Sequence, residues 1–421
     1  MKVKRLKMTA FRGISDLTLE FTANEPTILI GINGVGKSSI LHCLALLLSC
    51  FIRGIQGYGA SPWVEISEQD ITNDRNKTHN EITISLDSSQ EVTWSLSKVR
   101  KAGSEDASSD FAELKEVTQE LYKQWSSNPN VNLPLAVYYP VNREFLKSSS
   151  LPANNRQQLS QTNAYNQAIP AGQIDFNSFF QWFWGLEDVE NEERRDDPDH
   201  RNHQLEAVRQ AISSLLGDNV SNLRVRRNPL RMTMTKQGQE LNIHQLSDGE
   251  TGLLVLAADL ARRLAIANPG ITDPLQGSGV VLIDEIELHL HPAWQRKVIP
   301  ALKRMFPNCQ FIITTHSPQV ISEVKPDGIY ILERTDGGIV AGRPESSYGR
   351  DTNRILEDLM DTPERPQEIK ESLLELFRLI AKGELDSARQ LHQKIADEIG
   401  ADEPELVGAN VSIRRREILG R

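Results

Sequence analysis

Between the strand-like run Thr27–Ile30 and an apolar helix the chain reads GINGVGKS, with glycines at 31, 34 and 36 followed by Lys37 and Ser38. Glycines at that spacing let successive backbone N–H groups turn into one concavity without Cβ interference, and the helix behind them adds the positive end of its dipole. A triphosphate is the natural occupant. Lys37 would reach the β- and γ-phosphates, Ser38 would place its hydroxyl on Mg2+, and Asn33 and Ser39 fall on the same turn. Far downstream, residues 279–292 (GVVLIDEIELHLHP) run four branched aliphatics into Asp284 and Glu285. Adjacent carboxylates at the end of a buried strand repel each other unless something cationic compensates them. A magnesium nucleotide would do so, with Asp284 holding the ion through water and Glu285 orienting and polarising the attacking water. A glycine-rich turn or a pair of helix caps can each arise for structural reasons. The eight-residue spacing between a strand and a helix, with the acidic pair elsewhere, predicts nucleotide binding and hydrolysis.

Three further stretches narrow the class. In HQLSDGETG, Ser247 and Glu250 form an S-x-x-E capping box ahead of a helix with Leu253, Leu256, Leu260 and Leu264 on one face. LSDGE (residues 246–250) resembles the LSGGQ-type signature of ABC ATPases, whose serine and glycine bind the γ-phosphate held by a second protomer. That likeness gives the two roles to Ser247 and Gly249, while Asp248 and Glu250 depart from the pattern and bring an extra carboxylate towards the phosphate. QFIITTHSPQVI reads as a buried strand ending in Thr315, His316 and Ser317, and it resembles the ABC switch region. The resemblance implies that His316 contacts the γ-phosphate and the attacking water. MTAFRGISDLTLEF resembles the opening strand of the RecF, SMC and OLD-type branch, in which the arginine after the aromatic, here Arg12, lies near the nucleotide. The residues alone read equally well as an exposed arginine in a hairpin turn.

His289 and His291 would share a face on an extended segment, but no nearby Cys or His pattern completes a zinc site. Their segment resembles the D-E-x-E-x-x-L-H-P run of the same branch, which implies that Glu287, His291 and Pro292 form the D-loop region at a dimer interface. The long coiled coil of SMC proteins has no counterpart, since sustained heptads are missing between the phosphate loop and the signature. DHRNH (residues 199–203) hints at an HNH nuclease but lacks the ββα setting, and nothing after His316 shows D-x-D. A nuclease site within this chain is therefore not expected.

These side chains need a sheet to bring them together. The expected fold is α/β, a P-loop NTPase of ABC-head type, with a mixed central sheet flanked by helices, a helical insert and a C-terminal helical extension. Its boundaries are 1–145 for the lobe with the phosphate loop, 146–219 for the insert, 220–345 for the lobe with signature, acidic pair and switch histidine, and 346–421 for the tail. EITISL and EVTWSL alternate with period two, a helix is expected near 110–124, and LAVYYP reads as another strand. Residues 147–173 are rich in Ser, Asn, Gln and Pro and read as a long loop. A helix then follows whose Phe179, Trp182 and Phe183 bury and whose Glu/Arg end is solvated, and a second helix covers 203–216. Asn142 and Arg143 are the candidates for the glutamine of an ABC Q-loop. In the tail, Leu373, Leu374, Phe377 and Ile380 predict a packed helix.

The tail also resembles that of the Septu-type antiphage ATPases of the PtuA family and their relatives, through SSYGRDTNRILEDLM and IRRREILGR. This resemblance implies antiviral defence by an ATPase that forms a homodimer or higher homo-oligomer through ATP and Mg2+. It also implies an HNH-type nuclease partner that ATP restrains or licenses, and in retron versions a DNA–RNA hybrid. A RecF-like DNA repair clamp is the alternative, with Arg224, Arg226, Arg227 and Arg231 as the basic surface.

Bulk properties agree with this class without selecting it. The 421 residues are 39% hydrophobic and 25% charged, enough for two or three domains' worth of core. A net charge of −10 disfavours wholesale coating of nucleic acid and permits a local basic groove. The start MKVKRLKMTAFRG has no apolar leader core, and the longest apolar run, residues 40–52, contains His42 and Ser49 and is short for a bilayer. Cys43, Cys50 and Cys309 make no C-x-x-C pair, which points to a reducing, cytoplasmic setting without membrane attachment.

Overall fold

A computed structural model describes residues 1–22, 25–63, 65–86, 90–100, 108–141, 160–169, 176–217 and 220–419. The chain opens with a hairpin, β1 (Lys2–Phe11) and β2 (Ile14–Glu20), followed by β3 (Thr27–Ile30) and α1 (Lys37–Ile55). Next come β4 (Lys77–Ser85), β5 (Glu91–Val99), α2 (Ala112–Ser127), β6 (Leu135–Tyr139), α3 (Phe176–Glu193) and α4 (His203–Leu216). The meander β7 (Val220–Arg227), β8 (Leu230–Lys236) and β9 (Gln239–Asn242) leads into α5 (Asp248–Ala267) and β10 (Gly279–Ile283). Then α6 (Pro292–Met305), β11 (Cys309–Thr314), α7 (Pro318–Ile321), β12 (Ile329–Thr335) and β13 (Gly338–Gly342) complete a first compact unit, Met1–Arg350.

The central sheet of that unit runs β13-β12-β3-β11-β10-β6, parallel except for the edge strand β13. Every residue of β10 is buried, because a strand inside a parallel sheet has neighbours on both edges and helices on its faces. A second, antiparallel sheet runs β2-β1-β4-β5. Helix α1 touches strands of both sheets, which explains an apolar surface on all sides. Among the described residues it is the one helix long and apolar enough to cross a membrane, and its apolar surface is used up inside this core. Cys43 and Cys50 on it are buried free thiols.

Two details of this unit differ from the sequence reading. Of the polar stretch 147–173, residues 160–169 are described and contain a 3-10 turn, Gln161–Tyr165, in which Tyr165 is buried and its hydroxyl donates to the Pro134 carbonyl at 2.9 Å. The rest of that stretch, with Asn142 and Arg143, lies outside the described residues. The charged end of α3 is not wholly solvated: Glu187 and Glu190 are buried, the first receiving Arg227 and the Val225 amide, the second held by both Nη atoms of Arg209. Phe179, Trp182 and Phe183 are buried as expected.

A second unit, Asp351–Arg421, contains α8 (Thr352–Met360), α9 (Gln367–Lys382), α10 (Leu385–Ile399) and α11 (Pro404–Leu419). Leu373, Leu376 and Ile380 of α9 join Ala388, Ile395, Leu406, Ala409 and Ile413 in its core. Leu374 and Phe377 are 62% and 40% exposed, a correction to the expected packing face. Leu373 and Ile380 fit two stripes at helical spacing, and Leu376 marks the one that is buried.

Candidate nucleotide site

The site forms where β3, β11 and β10 end side by side. At the end of β3 the loop turns on Gly31, Gly34 and Gly36 at φ +143°, +77° and +110°. A Cβ on Gly31 would stand 2.5 Å from the Leu332 carbonyl of β12, so both conformation and space demand glycine there. Gly36 caps α1 in left-handed conformation without any side-chain hydrogen bond, and no acidic residue occupies the first turn. The four N-terminal N–H groups and the dipole therefore point at the loop's concavity with nothing negative on the helix to satisfy them. Lys37 is buried and donates from Nζ to the Gly31 and Ile32 carbonyls at 2.8 and 3.1 Å, which folds its ammonium back over that concavity. Asn33, Gly34 and Ser38 are exposed and Ser39 is half-buried.

Asp284 follows β10 and is 3% exposed. Its amide donates to the Tyr139 carbonyl of β6 at 2.9 Å, and its Oδ1 accepts the Thr314 hydroxyl at 2.5 Å. The same Thr314 oxygen accepts the Glu285 amide at 2.8 Å, so one threonine at the end of β11 orients both members of the acidic pair. Glu285 takes left-handed backbone, φ 46°, a strained conformation for a non-glycine residue that turns the chain out of the strand. Glu287 reaches back to the switch segment, accepting the Thr315 hydroxyl at 2.7 Å and the His316 amide at 2.5 Å.

The charges of these residues act on one another. Burial lowers the Lys37 ammonium below its ordinary range, while Asp284, Glu285 and Glu287 oppose the shift. Burial also lowers His316, helped by Lys37 and opposed by the same three carboxylates. Lys37, His316 and the acidic run thus share one electrostatic neighbourhood, formed by loops distant in sequence. The donor set suits Mg2+: one carboxylate and one hydroxyl, Asp284 and Ser38, with phosphates and water for the remaining positions. Among the described residues no cluster of three or more His, Cys, Asp or Glu suggests an all-protein cage. His291 has another task, since its Nδ1 accepts the Ala293 amide at 3.2 Å and caps α6.

Arg12 sits in the β1–β2 turn, its Nε 2.6 Å from Asp70 Oδ1. The adjoining Ile14 lies where a Cβ on Gly36 would touch it, so the turn borders the phosphate loop. At the signature, Ser247 caps α5 in a full capping box with Glu250, and Gly249 approaches the chain after the acidic pair so closely that a Cβ would lie 2.5 Å from the His289 carbonyl. Thr314, the Glu287 latch and Tyr139 were not singled out by sequence reading. The threonines of TTHS were a visible signal, but not their partners.

A mainly parallel sheet with a glycine loop after one strand and an acidic pair two strands away defines an α/β P-loop NTPase of ABC-head type. Residues 27–322, well over half the chain, match the family described as "AAA domain, putative AbiEii toxin, Type IV TA system", and the chain belongs to it. It is 29% identical to the Retron Ec83 probable ATPase of Escherichia coli, across 99% of this chain and 87% of that one. It is 26% identical to the Septu protein PtuA of Bacillus mycoides (strain KBAB4), across 75% of this chain and 38% of that protein. Among solved structures, an SMC head bound to the C-winged helix domain of ScpA aligns with TM-score 0.48 and 15% identity, over 82% of this chain and 98% of that one. The chain is an ABC-type ATPase related to the retron and Septu ATPases.

Proposed function

We propose that this chain binds and hydrolyses ATP between two copies of itself, and that closure of the pair controls a partner effector in antiphage defence. The observation that carries the reading is the meeting of Lys37, His316, Asp284, Glu285 and Glu287 at the ends of three adjacent strands. In this reading the backbone of residues 31–36 and Lys37 bind the triphosphate, and Ser38 and Asp284 hold Mg2+, which neutralises phosphate charge when bound. Glu285 orients the attacking water, His316 contacts the γ-phosphate, and Arg12 approaches the nucleotide from the β1–β2 turn. Ser247 and Gly249 complete the site from the second copy, so ATP favours the closed pair and hydrolysis releases it. The retron and Septu relatives support a defence role, and the partner we favour, from the resemblance of the tail alone, is an HNH-type nuclease.

A DNA repair clamp is less well supported. Arg224 and Arg226 share the one carboxylate of Glu240, and Arg227 pairs with Glu187 and Asp188, so three of the four candidate arginines have acidic partners within the chain. Glu285→Gln tests the proposed reaction. Labelled ATP should still bind, turnover should fall at least a hundredfold, and a closed oligomer should accumulate on a sizing column. Undiminished turnover would remove Glu285 from its role.

A further inference from the structure

The two helix ends assigned to phosphate differ in charge. Helix α1 opens with no acidic residue in its first turn, whereas α5 opens with Asp248 and Glu250. Carboxylates in a first turn complement the dipole themselves, which stabilises the helix and opposes an incoming anion. The Ser247 hydroxyl is moreover engaged, donating to Glu250 Oε2 at 3.1 Å. A compensating charge comes from outside the helix. Lys236, the last residue of β8, puts its ammonium 2.5 Å from Glu250 Oε1. Its backbone is held by pairing with Gln239 across a tight turn in which Gln237 and Gly238 both have positive φ. The two side chains are 29% and 17% exposed, so solvent and salt screen the pair only partly. Burial by itself would push the Glu250 carboxyl up, yet Lys236 with the Ser247 amide and hydroxyl holds it below the ordinary carboxylate range. Glu250 is thus ionised at neutral pH, and its charge must be offset before phosphate can approach.

We propose that Lys236 is the positioning residue for nucleotide sharing: its ammonium neutralises Glu250, so that the signature turn accepts the γ-phosphate carried by a second copy of the chain. As phosphate arrives, Glu250 stays on Lys236 and releases the Ser247 hydroxyl, which exchanges its carboxylate acceptor for a phosphate oxygen. No proton changes hands. The inference rests on the shared-site reading above.

The experiment uses the full chain carrying Glu285→Gln, which traps ATP, and compares it with the same chain carrying Lys236→Ala alone or with Glu250→Gln. Association is measured by sedimentation with ATP, and nucleotide binding by a fluorescent ATP analogue at protein concentrations too low for pairing. Lys236→Ala should weaken ATP-dependent pairing by roughly tenfold, as expected for uncompensated like charge at short range, and leave analogue binding within about twofold. Adding Glu250→Gln should restore pairing, because glutamine keeps the capping-box acceptor without the charge. Unchanged pairing in Lys236→Ala overturns the proposal. So does a loss that Glu250→Gln does not repair, which would make the lysine merely structural. If the trapped chain never pairs with ATP, the shared-site reading itself falls, and that result is distinct from the other two.

Discussion

At the scale of single residues, Glu287 was expected in the D-loop region but not in the contact it makes. Its carboxylate receives a hydroxyl and an amide from Thr315 and His316, and so ties the loop after the acidic pair to the switch histidine. Hydrogen bonds to a charged acceptor contribute about 1.5–3 kcal/mol each, and in the proposed reaction part of that would hold His316 in place for the γ-phosphate. Glu287→Ala should therefore lower kcat by roughly tenfold or more while KM for ATP stays within about threefold, because the loop positions a group rather than binding nucleotide. Steady-state kinetics decide it, and a raised KM at unchanged kcat would assign Glu287 to binding instead. The glycines, Lys37, Ser38 and the acidic pair were legible in the sequence because their chemistry depends on neighbours within a few positions. The latch was not, because Glu287 and Thr315 stand 28 positions apart and meet only through the parallel pairing of β10 with β11. A separation of 30 positions likewise hid Thr314, whose hydroxyl donates to Asp284.

At the scale of elements, a buried ionic cluster joins the signature helix to the end of β6. Asp259 of α5 accepts from Arg262 at 2.8 Å, from Arg263 at 2.6 Å and from the Tyr139 hydroxyl at 3.0 Å. Burial would raise its carboxyl, but the two guanidiniums hold it down to about 2. Tyr139 in turn offers its carbonyl to the Asp284 amide, so α5 and the carboxylate proposed to hold magnesium are tied to one residue. Asp259→Ala would leave two buried guanidiniums without a counter-charge and should destabilise the fold by about 3–5 kcal/mol, whereas Tyr139→Phe should cost about 1 kcal/mol. Urea unfolding midpoints at constant slope measure both, and equal small losses would show that the cluster is solvated. Sequence patterning placed α5 and its apolar face correctly from Leu253, Leu256, Leu260 and Leu264. It could not show that an Asp and two Arg paired along the same helix are also buried, because what covers them, Tyr139 and the carbonyls of Ala164 and Asn166, comes from segments distant in sequence. Helix α9 shows the converse: Leu374 and Phe377 have the right spacing for a core stripe but stand exposed, with Leu376 taking the interior place.

At the scale of the whole molecule, the proposed reaction needs halves from two chains, and that requirement separates it from a site complete within one. A chain with Lys37→Ala lacks a working phosphate loop but keeps its signature, and a chain with Ser247→Arg has the reverse defect. Each alone should be inactive, since every composite site formed by identical copies contains a damaged half. Mixed in equal amounts, half of the pairs formed at random join unlike chains, and one of the two sites in each such pair is intact. The mixture should then recover about a quarter of the normal ATP turnover, with recovery falling on dilution because association is bimolecular. Pull-down of one tagged variant by the other, dependent on ATP, provides a second readout that does not need two cooperating sites. If the mixture shows neither turnover nor ATP-dependent capture, Ser247 does not serve a neighbour's phosphate, and the acidic pair, Lys37 and His316 must act within one chain.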